Sequence, residues 1–311
     1  MPKPHDRPMI SWRRSLERAK FAHAMVGFSE RIKKRKRVWW GGIAEERLRS
    51  SFLDRLHRAV ETHRLRTRHD PERRWKCCEL WQRSLNNKWN SREFALRYGC
   101  RVPELYWCGR QISKLPIRYM PEHVVLRPSW SASGVGTRVL AGDYDVLHRR
   151  TCPRDSLIDQ VRRERGRFSD QPILAEEFVR SEDGEYRLPT EYKCFTFGDT
   201  IAAVQVVHRQ PGGARHRFYK PNWEPFDDAF NTYNGFDEVS VPPRCIGEIL
   251  EAAKRLGAAY GTFVRADFYA SDRGCIFGEF ASVPLEGRGF TPFGDRYLGE
   301  AWEDLLPADA T

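Results

Sequence analysis

The sequence predicts an α+β fold preceded by a basic helical extension, and three observations carry that prediction. Short strand-like runs fall into hairpins instead of alternating one for one with helices. One strongly amphipathic helix, Pro243 to Tyr260, stands between two of those hairpins. The basic excess is confined to one end: residues 1–80 hold 22 Lys+Arg against 10 Asp+Glu, while the remainder is close to neutral.

The chain has 311 residues, 40% hydrophobic and 13% aromatic, with a net charge of +11. That is enough apolar material for a sizeable core and excludes a disordered chain. No apolar run approaches the ~18 residues of a membrane span, and residues 1–20 are too charged for a secretory segment. A cytoplasmic protein without integral membrane association is expected. The eight Cys contain no C-x-x-C pair, and Cys77 and Cys78 are adjacent, so structural zinc and a disulfide framework are not indicated.

The extension is densest in charge at Arg31 to Arg37 (RIKKRKR), and Ile43 to Arg66 reads as an amphipathic helix with a basic outer face. It suits either a helical appendage with solvated charges or an arm that attracts an acidic macromolecule. No nucleic-acid-binding module is recognisable in it, which argues against nucleic acid as the partner. Asn87 to Gly99 is expected to be a helix capped by Asn90 or Ser91. His123 to Arg127 and Thr137 to Leu140 read as strands around the small-residue loop Pro128 to Gly136, and Pro172 to Arg180 as another strand. Lys193 to Phe197 and Ile201 to His208 form a hairpin about Gly198–Asp199, extended by His216 to Tyr219. The helix after Pro242–Pro243 buries Ile246, Ile249, Leu250, Ala253 and Leu256. Thr262 to Ala270 and Gly274 to Phe280 close the chain as a last hairpin.

Two places carry chemistry. The loop holding Ser131, Ser133, Gly134 and Gly136 leaves backbone N–H groups free to face an anion, with Arg127 fixed at its base. It lacks the Gly-Lys-Ser/Thr of a Walker A loop. On the last hairpin, Arg265, Asp267 and Tyr269 alternate onto one face, and Glu279 sits inside the apolar run Ile276 to Phe280. A carboxylate there needs a partner. Two facing carboxylates with a hard cation between them suit Mg²⁺, while a structural ion pair to Arg265 is the alternative. The metal reading requires Asp267 and Glu279 to be directly opposed. A three-residue turn at Asp272–Gly274 gives that register, whereas a two-residue turn at Asp272–Arg273 throws the carboxylates onto opposite faces and would rule out the metal site.

The ordered series Arg127 with its Gly/Ser loop, Ala175 to Val179 (AEEFV), Glu191-Tyr192-Lys193, Phe263 to Asp267 (FVRAD) and Phe277-Gly278-Glu279 resembles the ATP-grasp superfamily. Within it the chain is similar to the branch typified by the teichuronopeptide-biosynthesis protein, as are Asn87-Lys88 with Arg92-Glu93-Phe94 and Arg217-Phe218-Tyr219 with Trp223. The resemblance covers about residues 85–300. It implies an ATP-grasp fold, two α+β subdomains clamping ATP, divided here as an extension over 1–80, a lid part over 81–180 and a C-terminal part with the metal site over 181–311. It also implies a carboxylate–amine ligase working through an acyl phosphate, with ATP and Mg²⁺ as cofactors. The partners would be a small or polymeric anionic carboxylate and an amine. A kinase on the same fold, or a non-catalytic binding protein using the basic arm, are the other readings.

By the same resemblance Lys88, Arg127, Ser131, Ser133 and Gly134 would hold the phosphates. Glu176 would accept from the adenine amino group, the backbone of Glu177 and Val179 would read the ring edge, and Asp183, with Glu182 as the second choice, would bind the ribose. Lys193 and Arg217 would face the γ-phosphate or the substrate carboxylate. Asp267 and Glu279 would hold Mg²⁺, and Arg265 would stabilise the transferring phosphoryl group. The superfamily's usual Asn two residues after the second metal carboxylate is replaced by Ala281, which puts a second Mg²⁺ in doubt.

Overall fold

The computed structural model describes residues 44, 47, 64–78, 81–131, 134–164, 171–210, 213–232 and 235–306. The chain divides into residues 1–39 and a compact unit of residues 40–311, to which all described residues belong. The basic run Arg31 to Arg37 therefore lies outside the described residues, as does most of the helix expected over Ile43 to Arg66. Ala44 and Arg47 within it are helical, but its expected end is not: residues 64–67 are irregular and tied to Asn90, which accepts from the Arg66 N–H and donates to the Arg64 carbonyl.

Two six-stranded sheets form the unit. The first contains β1 (Leu105–Gly109), β2 (His123–Pro128), β3 (Arg138–Ala141), β4 (Tyr144–Asp145), β5 (Arg150–Thr151) and β6 (Ile173–Glu177), in the order β1-β6-β2-β3-β4-β5, antiparallel throughout. The second contains β7 (Glu191–Phe197), β8 (Thr200–Gln210), β9 (Gly213–Tyr219), β10 (Gly235–Phe236), β11 (Phe263–Ser271) and β12 (Gly274–Ala281), in the order β10-β9-β8-β7-β11-β12. Only the short β9–β10 pair is parallel in this sheet. Helices α1 (Glu72–Trp75), α2 (Lys88–Arg97), α3 (Arg154–Glu164), α4 (Ile246–Tyr260) and α5 (Pro292–Leu305) cover them.

Each helix buries a face that its spacing dictates. In α4, Ile249, Ala253, Leu256 and Tyr260 lie one turn apart and are buried against Tyr192, Val206 and Phe268 of the second sheet. Each large side chain of this kind contributes about 1.5–3 kcal/mol when fully buried. The helix stops at Gly261, whose φ of +82° suits a left-handed cap. Helix α2 packs into the same core, with Phe94 edge-on to Trp75 at 5.4 Å. Its cap is Asn87, not Asn90 or Ser91, because the Asn87 side chain accepts from the Trp89 N–H. Asn90 is buried inside the helix and spent on the Arg64–Arg66 segment. Helix α5 covers the opposite face of the second sheet with Leu298 and Trp302, against Phe195, Phe197, Phe218 and Phe263. Helix α3 covers the first sheet with Leu157 and Val161.

The last hairpin has the two-residue turn, with Ser271 paired to Gly274, yet Asp267 and Glu279 are directly opposed. A bulge between Asp267 and Phe268 reconciles the two: Phe268 pairs with Phe277 and Asp267 with Glu279, leaving Gly278 as the extra residue. The bulge brings Gly278 hard against the neighbouring strand. A Cβ there would come within 3.0 Å of the Tyr269 ring and 3.2 Å of the Asp267 carbonyl oxygen, so glycine is required by close approach.

Candidate phosphoryl-transfer site

The site is built where the first sheet meets the last hairpin. In the second sheet, Asp267 is opposed by Glu279 on β12 and by Lys193 on β7, so all three share one face. Arg265, two residues before Asp267, lies on that face as well and grips its carboxylate with both edges: Nε donates to Oδ1 and Nη2 to Oδ2, each at 2.7 Å. Lys193 Nζ donates to Asp267 Oδ2 at 2.8 Å and approaches Glu191 Oε2 at 2.5 Å. Glu191 in turn receives Arg209 Nε from β8 at 2.5 Å. The result is a line of alternating charge, Arg209–Glu191–Lys193–Asp267–Arg265, across three strands. Burial works against the ammonium of Lys193, and Asp267 and Glu191 more than offset it, so it is held charged.

Helix α2 contributes Lys88 and strand β2 contributes Arg127. Lys88 opens α2, whose start is fixed by its N–H donating to the Ser129 carbonyl at 2.7 Å. Its Nζ donates to the Ser131 carbonyl at 2.5 Å and lies 3.4 Å from Glu279 Oε2, bridging the small-residue loop and the last hairpin. Arg127 on β2 donates from Nε to Glu176 Oε2 at 2.5 Å, and its Nη2 reaches the Gly278 carbonyl at the bulge. Gly134 and Gly136 in the loop have φ near +73°. At Gly136 a Cβ would meet Pro128 at 2.9 Å. Ser133 lies outside the described residues.

Glu176, expected to accept from adenine, is 1% exposed and lies under Arg127, with Arg92 Nη1 at 3.6 Å. In this arrangement its carboxylate orients Arg127 and does not face an open pocket. Glu177 donates its backbone N–H to the Glu104 carbonyl, and its carboxylate pairs with Arg273 at the tip of the last hairpin. Arg180, just past buried Val179, pairs with Asp272 of the same tip. The segment after β6 is thus pinned to the β11–β12 turn at two points. Asp183 is exposed and pairs with Arg187 at 2.5 Å, while Glu182 caps the approach to α4 through the Arg244 N–H.

Arg217 is not brought to this cluster. It pairs with Val206, which pairs with Tyr192, and Tyr192 with Phe268, so the register places it on the opposite sheet face from Lys193. There its guanidinium stacks on the Phe236 ring at 4.6 Å and donates to the Asp237 carbonyl. Ala281 does share the site face, opposed to Arg265, whereas Ser282 is turned to Asn86. Glu191, Arg92 and Tyr269 enter the site without having been assigned roles from the sequence.

The donor set fits a polyphosphate with a divalent cation. Four cations, Lys88, Arg127, Lys193 and Arg265, converge on two opposed carboxylates. Glu279 keeps about a third of its side chain exposed. Among the described residues no group of three or more His, Cys, Asp or Glu side chains is placed to hold a metal. An ion here would take two protein carboxylates and draw its other ligands from phosphate and water, as Mg²⁺ does. Burial alone would raise the pKa of Glu279, but Lys88, then Arg127, Lys193 and Arg265, hold it down at about 2. A depressed carboxylate stabilises the fold above its ordinary value of 4.5 and loses that contribution as pH falls through its folded value. The gap in Tm between wild type and Glu279→Gln should therefore be full above pH 4.5 and close as pH falls towards 2. A gap constant across that range would contradict the ion-pairing of Glu279.

Two sheets, antiparallel except at β9–β10 and joined by a charged seam, define an ATP-grasp-like α+β fold. Residues 104–303 match the TupA-like ATPgrasp family, and the chain belongs to that family. Solved structures to which the chain is similar include D-alanine–D-alanine ligase from Bacillus anthracis complexed with ATP, at 13% identity over 65% of this chain and 57% of that one, TM-score 0.44. The D-alanine–D-alanine ligase from Helicobacter pylori is 16% identical over 72% and 61%, TM-score 0.43. The ATP-grasp ligase PsnB complexed with a minimal precursor is 12% identical over 70% and 60%, TM-score 0.41. The chain spans about three fifths of the length of these structures. No curated protein matches the sequence. Among the described residues no helix is long and apolar enough to cross a membrane.

Proposed function

We propose that the protein is an ATP- and Mg²⁺-dependent carboxylate–amine ligase that activates its carboxylate as an acyl phosphate. The observation that carries this reading is the opposed pair Asp267 and Glu279, set among Lys88, Arg127, Lys193 and Arg265 drawn from both sheets and α2. Among the described residues no cysteine, serine or histidine side chain stands in that cluster as a nucleophile. Phosphoryl transfer needs none, because positioning and charge neutralisation supply most of the catalysis.

Asp267 and Glu279 would hold Mg²⁺, which supplies positive charge to the phosphate oxygens. Lys88 and Arg127 approach the phosphates from the lid side, with Glu176 and Arg92 orienting Arg127. Lys193 and Arg265 stand on the opposite side, where charge accumulates on the transferring group. The backbone of Glu177 to Val179 would border the adenine, and Asp183 would bind the ribose. The amine then displaces phosphate from the acyl group, leaving an amide.

The test is turnover of Mg·ATP by the full chain against pools of carboxylates and amines. ADP and phosphate should appear only when both pools are present, with a product whose mass equals acid plus amine less water. Phosphate retained on the acceptor would identify a kinase and overturn the ligase reading.

A further inference from the structure

The second sheet carries more polar side chains on its site face than phosphoryl transfer uses. Along β8, Gln205, Val207 and Arg209 alternate onto the face of Lys193 and Glu191, because Gln205 is opposed by Lys193 and Val207 by Glu191. Across the next ladder Val207 is opposed by His216 of β9. Val207 is therefore flanked by Gln205 and Arg209 on its own strand and by His216 on its neighbour.

All three keep hydrogen-bonding capacity in reserve. Gln205 is 5% exposed, and its carboxamide has no hydrogen-bond partner among the described residues. His216 is 1% exposed with neither ring nitrogen partnered. Burial lowers its pKa, so near neutral pH the imidazole is uncharged, with one donor and one acceptor to offer. Arg209 spends only Nε, on Glu191, and 44% of its side chain is exposed. Burying the His216 imidazole unpaired costs about 1–3 kcal/mol. That imidazole, the unspent Gln205 carboxamide and the open edge of Arg209 surround one valine, a strand away from Lys193, and mark a place for a polar ligand. The other basic residues of this hairpin are committed elsewhere. His208 and Arg215 close on Asp237, and Arg217 faces away against Phe236.

We propose that this patch is the acceptor subsite: the carboxylate-bearing substrate places an anionic group on the open edge of Arg209, and its polar atoms are directed towards Gln205 and His216 beside buried Val207. The assignment rests on the ligase reading for the direction in which the substrate points, from Arg209 past Glu191 and Lys193 towards the Asp267–Glu279 pair. Arg209 is the specificity-determining residue in it, since a planar fork with a free edge matches a carboxylate.

The test uses the full chain with Mg²⁺ and a non-hydrolysable ATP analogue, and N-acetyl-L-glutamate as a peptide-like diacid probe followed by calorimetry. Wild type should bind it saturably. Arg209→Gln should bind about tenfold more weakly, a loss of about 1.4 kcal/mol. Gln205→Leu and His216→Phe should each weaken it several-fold. Affinity for the analogue should stay at the wild-type value in Gln205→Leu and His216→Phe, and circular dichroism with a thermal melt shows that all three variants are folded. Arg209→Lys, keeping charge but not the fork, should restore only part of the affinity. The assignment is overturned by absence of saturable binding to wild type, by equal binding to Arg209→Gln, or by a loss in Arg217→Gln matching that in Arg209→Gln. Failure of the ligase reading is seen separately, as phosphate retained on an acceptor or no binding of the analogue by wild type.

Discussion

Asp267→Asn is expected to abolish Mg·ATP turnover, by roughly 10³-fold or more, and to lower the Tm by roughly 10 °C. The first effect follows from removing one of two carboxylates available to a divalent ion, in a reaction that depends on neutralising phosphate charge. The second follows from what Asp267 does before any ligand arrives. Both of its oxygens accept from Arg265, and one also accepts from Lys193. Those two cations have 12% and 13% of their side chains exposed. Breaking a pair this buried costs about 3–5 kcal/mol, because the charge left behind is not returned to water. Glu279→Gln provides the contrast. Its carboxylate is a third exposed and 3.4 Å from Lys88, so the same loss of turnover should come with a much smaller fall in Tm. Thermal melts and steady-state ATP turnover on the two variants check both halves. Wild-type turnover in Asp267→Asn would exclude it as a metal ligand.

The contrast between Lys193 and Arg217 shows what the sequence discloses and what it withholds. Alternation along one strand is a local property, so Arg265, Asp267 and Tyr269 could be assigned to a common face from their spacing alone. Facing across strands depends on register, which turns and bulges set. Lys193 stands opposite Asp267, but the β7–β8–β9 ladders put Arg217 in phase with Tyr192. A basic residue in a family-like run thus lands on the far face. The last hairpin shows the converse. Asp267 and Glu279 are opposed as expected, yet through a two-residue turn and a bulge at Gly278, not through the longer turn. A glycine beside a carboxylate in an apolar run was the available signal for that bulge. The α+β class followed from hairpin clustering and the apolar face of α4, both strong periodic patterns. Helix α3 escaped notice because its buried face rests on little more than Leu157 and Val161 in an otherwise charged stretch. Helix capping went to Asn87 and not to Asn90 because long-range contacts with the Arg64–Arg66 segment, invisible in local sequence, claim the Asn90 amide.

Arg127→Met should destabilise the protein by about 3–5 kcal/mol and also remove nucleotide affinity, and a second substitution should separate the two effects. Without Arg127, Glu176 is a carboxylate at 1% exposure whose nearest remaining cation is Arg92 at 3.6 Å. An orphaned buried charge accounts for the stability loss. Arg127→Met/Glu176→Leu removes the orphan together with its partner and fills the space with apolar groups. Part of Arg92 then loses its counterion, although it keeps the Pro103 carbonyl. Stability in the double variant should recover by roughly 1–3 kcal/mol over the single one, the coupling expected of side chains in direct contact. Nucleotide affinity should not recover, because the cation itself is gone from beneath the Ser131 to Gly136 loop. Urea denaturation and binding of a fluorescent ATP analogue, read on the same three proteins, give the two quantities independently. A double variant no more stable than Arg127→Met would mean that the pair is not the buried unit its geometry describes. Restored nucleotide affinity would mean that Arg127 serves the fold alone, leaving Lys88 as the cation beside the Ser131 carbonyl for the phosphates.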